Sequence, residues 1–124
     1  MGNETADSIS AIETAGDYVF AAAGSRVLGF HRGKQVLALP ELDGRVTRLL
    51  HLSTMMLATT ATPSQLHVLH IPQQELLRTI DLGEGGDVTA MLHPATWLNK
   101  VVLGRESGFV QIWNIRTGYG SHCV

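Results

Sequence analysis

Gly108-Phe109-Val110-Gln111-Ile112-Trp113-Asn114-Ile115-Arg116-Thr117-Gly118 decides how this chain is read. A glycine turn leads into alternating apolar residues, then a Trp beside a short polar residue, then a second turn at Arg116-Thr117-Gly118. Such alternation marks a half-buried strand, and similar stretches recur upstream at nearly constant spacing. Leu69, in Val68-Leu69-His70-Ile71, lies 44 residues before Trp113. Val46, opening Val46-Thr47-Arg48-Leu49-Leu50, lies 42 residues before Val88, opening Val88-Thr89-Ala90-Met91-Leu92. A shift of 40 lays Val27-Leu28-Gly29-Phe30 over His67-Val68-Leu69-His70. Repeats of roughly 40 to 45 residues are those of four-stranded propeller blades. The chain reads as a short tandem array.

Working outward, residues 1–7 are a polar leader, expected to be flexible. The first unit, 8–42, holds four short apolar runs separated by Ala15-Gly16-Asp17, Gly24-Ser25 and Arg32-Gly33-Lys34. Gly and Asp at such intervals supply the turns that tight hairpins need. The second unit, 43–84, repeats the four runs between Val46 and Leu82. The third, 85–118, opens after Gly83-Glu84-Gly85-Gly86-Asp87 and shows three runs, the last from Phe109 to Ile115. The tail 119–124 carries no recognisable fourth run. The expected fold is therefore all-β, a WD40-type β-propeller fragment of about two and three-quarter four-stranded blades. Because each blade buries its faces against its neighbours, so few blades predict a fragment rather than a closed ring.

The chain has 124 residues, 44% hydrophobic and 16% charged, with nine basic residues against eleven acidic ones. That balance argues against a face devoted to neutralising phosphates, which needs an excess of Lys and Arg. One cysteine, Cys123, excludes an internal disulfide and suits a reducing compartment. No apolar run approaches the roughly 18 residues of a membrane span. The opening Met1-Gly2-Asn3-Glu4-Thr5-Ala6-Asp7 lacks the charge and apolar core of a secretion signal, so its formal sequon Asn3-Glu4-Thr5 is idle. The composition suits a soluble protein inside the cell, with no membrane and no small-molecule substrate.

The third unit carries a more specific signal. Val88 to Gly104 with Gln111 to Gly118 resembles the WD-repeat subunit family of the U3 small nucleolar ribonucleoprotein, part of the small-subunit processome. His93-Pro94-Ala95-Thr96-Trp97-Leu98-Asn99-Lys100 is the sharpest match, because ordinary WD blades do not carry it. Tyr18-Val19-Phe20-Ala21-Ala22 with Arg32-Gly33-Lys34 is similar to that family's early blades. The resemblance implies a nucleolar, non-catalytic scaffold supporting pre-18S rRNA processing. It implies other processome proteins as partners, with U3 snoRNA and pre-rRNA contacted indirectly if at all. A generic WD adaptor of a ubiquitin ligase or signalling assembly is the alternative.

Individual residues are weighed on their chemistry. Trp113-Asn114 stands where these repeats carry Trp-Asp; Trp113 is expected to fill the gap between blades while Asn114 steadies a turn, with Gly108 and Gly118 as the flanking turn glycines. Arg26, Arg32 and Lys34 fall near one first-unit turn and read first as a solvated hairpin tip; with Lys100 as a weaker member, they are the candidates for contact with RNA phosphate or an acidic partner. Arg105 offers a weaker case, and Arg116 reads as structural. His67 and His70, three apart on a strand, point to opposite faces and cannot share a metal ion. Gly83 to Asp87 lacks the Lys and the following helix of a phosphate loop. No catalytic set, cofactor or metal site is expected.

Overall fold

The computed structural model describes the backbone of residues 7–123 and side chains as far as Ser121. The expected leader therefore lies, apart from Asp7, outside the described residues, as do the sequon and the Cys123 side chain. Among the described residues, twelve strands form three four-stranded antiparallel sheets, each in simple up-and-down order. Sheet 1 comprises β1 (Ile9–Ala15), β2 (Tyr18–Ala23), β3 (Arg26–His31) and β4 (Lys34–Ala38). Sheet 2 comprises β5 (Val46–Leu52), β6 (Met55–Ala61), β7 (Ser64–His70) and β8 (Glu75–Asp81). Sheet 3 comprises β9 (Val88–Leu92), β10 (Lys100–Arg105), β11 (Val110–Asn114) and β12 (Gly120–Cys123). The first strands β1, β5 and β9 contact in succession, so the sheets fan out from a shared inner edge.

β12 corrects the expectation that no fourth strand follows Gly118. It pairs with β11 from Trp113↔Gly120 to Val110↔Cys123. Tyr119-Gly120-Ser121-His122 has little apolar character, because an outer strand needs only hydrogen bonds from one neighbour and buries little. Gly120 is required by close approach: a Cβ there would fall against the Trp113 indole, within 2.8 Å of Cζ3. Gly120→Ala is therefore expected to cost about 1–3 kcal/mol by overpacking, read as a lower urea midpoint with faster exchange of the β12 amides.

The repeat is finer than its spacing suggested. In each sheet the first strand bulges at its second residue, skipping Ser10, Thr47 and Thr89. All three carry hydroxyls that return a hydrogen bond to backbone: Ser10 to Val46 O, Thr47 to Thr59 O and Thr89 to Gly104 O. A bulge leaves one residue without its ladder partner and tightens the local twist. Pairing of the second residue of β2, β6 and β10 makes Phe30, Leu69 and Trp113 equivalent. Phe30 and Leu69 are 39 residues apart, so the shift of 40 was one residue off. On a strand that slip exchanges the two faces.

Facing is decided by this alternation. In β6, Met56 and Ala58 point to sheet 1 and join Phe20, Ala22 and Val27 in one core, while Leu57 points the other way. There it meets Leu66, Val68 and Ile80 from its own sheet and Val101, Leu103 and Ile115 from sheet 3. Sheet 2 is thus apolar on both faces. That is why β6 (Met55–Ala61) is a continuous buried run rather than an alternating one.

Candidate functional site

Antiparallel order places the first-to-second and third-to-fourth hairpins of each sheet at one end of the array. The same ends of neighbouring sheets lie together, since the Glu13 carboxylate accepts from the His51 N–H at 3.0 Å. This hairpin end carries most of the candidates. Arg32 and Gly33 form a two-residue turn with φ of 54° and 81°, the positive pair of a type I′ hairpin. Arg32 and Lys34 are exposed at its tip, Lys100 is exposed at the start of β10, and Arg116 is exposed in the β11–β12 turn. Arg26 follows Gly24-Ser25 at the opposite end of sheet 1, so it is not brought together with Arg32 and Lys34.

The same end has a polar lining that sequence reading did not pick out. The imidazole of His51 bonds Ser53 O at 2.6 Å, that of His70 accepts from Gln73 N–H at 3.3 Å, and that of His93 bonds Lys100 O at 2.7 Å. Each closes a turn. Asn114 does the same: its Oδ1 accepts from the N–H groups of Arg116 and Thr117 at 2.9 and 3.1 Å. Gly118, at φ 81°, completes that turn, and Gly108, at φ 97°, sits in the β10–β11 turn. The Trp113 ring packs against the core between sheets 2 and 3, and its Nε1–H donates to Gln111 Oε1 at 3.2 Å.

The 93–99 loop projects from this end. Trp97 N–H donates to Pro94 O at 3.0 Å and Lys100 N–H to Trp97 O at 3.2 Å, a local fold that leaves Trp97 and Leu98 exposed. Surface depressions flank the loop, one against Leu52, Ser53 and Met55, the other against Ile112 and Ser121. Both are shallow and partly apolar.

Arg105 departs most from its sequence reading. It is only 3% exposed and so cannot meet a partner. Its guanidinium spends all five N–H bonds inside the protein. Nε donates to Gly86 O, Nη1 to Leu82 O and Gln111 Oε1, and Nη2 to Gly83 O and Gly86 O, at 2.7–3.1 Å. The loop between sheets 2 and 3 is wrapped around this cation, with Gly83, Gly85 and Gly86 all at positive φ. Burial pushes the guanidinium pKa down, and Asp87 opposes the shift. The sequence holds only its ingredients, a glycine-rich loop upstream and an apolar-flanked Gln six residues downstream, which do not by themselves set the direction of the side chain.

His67 is buried between two hydroxyls, Thr60 Oγ1 and Thr79 Oγ1, each 3.1 Å from a ring nitrogen. Thr60 gives its proton to Pro63 O, so Nε2 carries the hydrogen and Nδ1 accepts from Thr79. Desolvation lowers the His67 pKa below 6.5, with Asp43 pulling it back. A depressed histidine favours the neutral folded form. Stability is therefore complete above about pH 6.5 and declines as pH falls from there through the lower folded-state pKa. A urea midpoint lower at pH 5 than at pH 7.5 is expected. His67→Gln should shrink that drop, since Gln111 fills the equivalent place in sheet 3. Among the described residues no three His, Cys, Asp or Glu side chains gather to hold a metal ion.

With this geometry in view, comparison with known proteins is decisive. The family model for the WDR36/Utp21 first beta-propeller matches residues 1–124. The chain belongs to that family. A Schizosaccharomyces pombe protein named U3 small nucleolar RNA-associated protein 21 homolog is 30% identical over 127 residues, covering 98% of this chain and 14% of that protein. Human WD repeat-containing protein 36 is 29% identical over 119 residues, covering 94% of this chain and 13% of its own length. This member of the WDR36/Utp21 family thus spans about a seventh of the curated relatives it matches. The structure described as U3-55K superposes with TM-score 0.82 at 12% identity, covering 98% of this chain and 40% of that one. The computationally designed Ika4 protein gives 0.80 at 18% identity, covering 98% and 74%. At such identities these two show the fold alone.

Proposed function

We propose that this chain serves as a non-catalytic WD-repeat scaffold segment of a small-subunit processome, supporting pre-18S rRNA processing in the nucleolus. The observation that carries the reading is the match of its whole length to the WDR36/Utp21 first propeller, with a relative named for association with U3 small nucleolar RNA. The structure is compatible in kind: rigid sheets holding turn-rich ends and shallow surfaces, a form suited to protein contact. Other processome proteins are the proposed partners, and any contact with U3 snoRNA or pre-rRNA is proposed to run largely through them. Arg32, Lys34 and Lys100 at the hairpin end are the proposed exceptions, with Arg26 at the far end as a separate contact.

Affinity purification of the tagged chain from cells tests this. U3 snoRNA and processome proteins should be enriched over an unrelated propeller carrying the same tag. Recovery of a ligase or signalling complex without U3 RNA would replace the scaffold reading with the generic adaptor. Combined Arg32→Glu and Lys34→Glu should leave protein recovery unchanged. A selective fall in RNA recovery would make those two residues direct phosphate contacts.

A further inference from the structure

The two junctions between sheets are built alike, yet at the hairpin end they carry different chemistry. Beside the sheet 1–sheet 2 core a depression is lined by Tyr18, Leu37, Ile71, Pro72 and Gln74. Its counterpart beside the sheet 2–sheet 3 core, about 220 Å³, is lined by Met55, Arg78, Ile115 and Arg116. Arg78 pairs with Val68 as Leu37 pairs with Gly29, and Ile115-Arg116 follow Trp113 as Ile71-Pro72 follow Leu69. Two arginines thus stand at the second junction where the first has Leu37 and Pro72. The first junction closes with no charge at either position, so packing does not require the pair.

Local geometry holds Arg78 in place. Its Nη2–H donates to Arg116 O at 2.8 Å, and a Cβ on Gly118 would fall 2.9 Å from Nη1. In sheet 2 the position of Gly118 is taken by Gln74, also at positive φ, 54° against 81°. That turn accepts a side chain where no arginine lies over it; Gly118 makes room for the guanidinium. One bond to a carbonyl orients the planar fork and leaves most of its donors to other acceptors. Both arginines are exposed.

Next to this cationic end the groove turns apolar. A second depression, about 350 Å³, shares Met55 and Asn99 with the first and adds Leu52 and Leu98. Leu98 is 80% exposed on the 93–99 loop. Neither depression is lined by an acidic side chain; Glu75, on the same strand as Arg78, lies outside both.

We propose that this groove between sheets 2 and 3 docks an extended segment of another protein, one that joins acidic residues to an apolar anchor. Carboxylates pair with the Arg78 and Arg116 guanidinia, whose forked donors suit bidentate contact. The apolar side chain sits between Met55 and Leu98, and the Asn99 amide offers a donor and an acceptor to the peptide backbone. An RNA strand fits less well. Two arginines give few phosphate contacts, and the floor beside them is aliphatic where base stacking uses aromatic faces. The inference rests on the junction geometry and is independent of the processome reading.

Amide NMR titration of the chain tests it. The probes are two short acetylated peptides, each with a glutamate pair and a leucine pair separated by serines, in the two possible orders. Saturable shifts centred on the amides of Met55, Asn99, Arg116 and Gly118 are expected with at least one order. Arg78→Leu, which installs the residue type sheet 1 already uses, and Arg116→Ala should each keep a dispersed native spectrum and weaken binding about tenfold. Leu98→Ser should weaken it from the apolar end. Peptides with lysine in place of glutamate should not bind. Equal binding of the lysine peptides, or shifts unchanged in both arginine variants, would overturn the proposal. So would the lack of any saturable shift at about 1 mM peptide, the weak end of the affinity scale. A short oligouridylate that moves these amides when neither peptide does would overturn it in favour of RNA.

Discussion

Arg105→Ala is expected to lower the unfolding free energy by about 3–5 kcal/mol, the range seen when a buried polar network loses its centre. The substitution removes a side chain that satisfies Leu82 O, Gly83 O, Gly86 O and Gln111 Oε1 together. Truncation leaves those acceptors in a site too enclosed for full hydration. It also frees a loop whose glycines hold strained conformations for other residues but not for themselves. Arg105→Lys should recover less than half of the loss: an ammonium keeps the charge but offers three donors from one point, not five from a planar fork. The check is urea unfolding followed by tryptophan fluorescence, since Trp113 shares Gln111 Oε1 with Arg105. A loss under about 1 kcal/mol, the worth of one ordinary hydrogen bond, would show that the network is incidental.

Phe20→Ala is the second large effect, about 3–5 kcal/mol for deleting a fully buried aromatic ring. Phe20 is 0% exposed and lies over Gly29, where a Cβ would come within 2.9 Å of the ring and 2.8 Å of Leu37. Gly29 stands where sheet 2 has Val68, so the ring fills room that a β-branched residue takes in the next repeat. The cavity would open at the sheet 1–sheet 2 core alone. In a stacked array each repeat leans mainly on its neighbours, so native-state hydrogen exchange should speed up first in β2 and β3. Amides of β10 and β11 should keep most of their protection. Equal loss of protection across all three sheets would mean that the array unfolds as one cooperative unit.

Much of the architecture was legible in the chain because it is built from a repeat. The equivalence of Leu69 with Trp113, and of Val46 with Val88, follows from spacing and holds in the sheets. Turn signals at Gly16-Asp17, Gly24-Ser25 and Arg32-Gly33 mark hairpins, since positive φ and local side-chain bonding are written in residue type. The 40-residue shift failed because Gly29 offers no side chain to indicate a face, and period two turns an error of one into the wrong face. β12 escaped notice for a related reason. An outer strand is held by backbone pairing to β11, and backbone groups are the same in every residue.

The candidate residues divide along the same line. Asn114 could be read as a turn residue because its side chain acts within three positions of itself. Arg105 could not be read as buried: its partners at 82, 83 and 86 come from another sheet's exit loop, and an Arg beside a turn looks the same whether it points out or in. The separation of Arg26 from Arg32 and Lys34 is likewise set by strand direction rather than distance along the chain.

By itself, then, the amino-acid order determined an all-β repeat, its approximate period and its family, because these depend on local periodicity and on residue identities. Only the tertiary structure decided which face each strand turns to its neighbour, that a third sheet is completed by β12, and that Arg105 is a clamp rather than a contact. Those outcomes depend on long-range pairing and burial, which one-dimensional spacing carries only where a side chain marks the face.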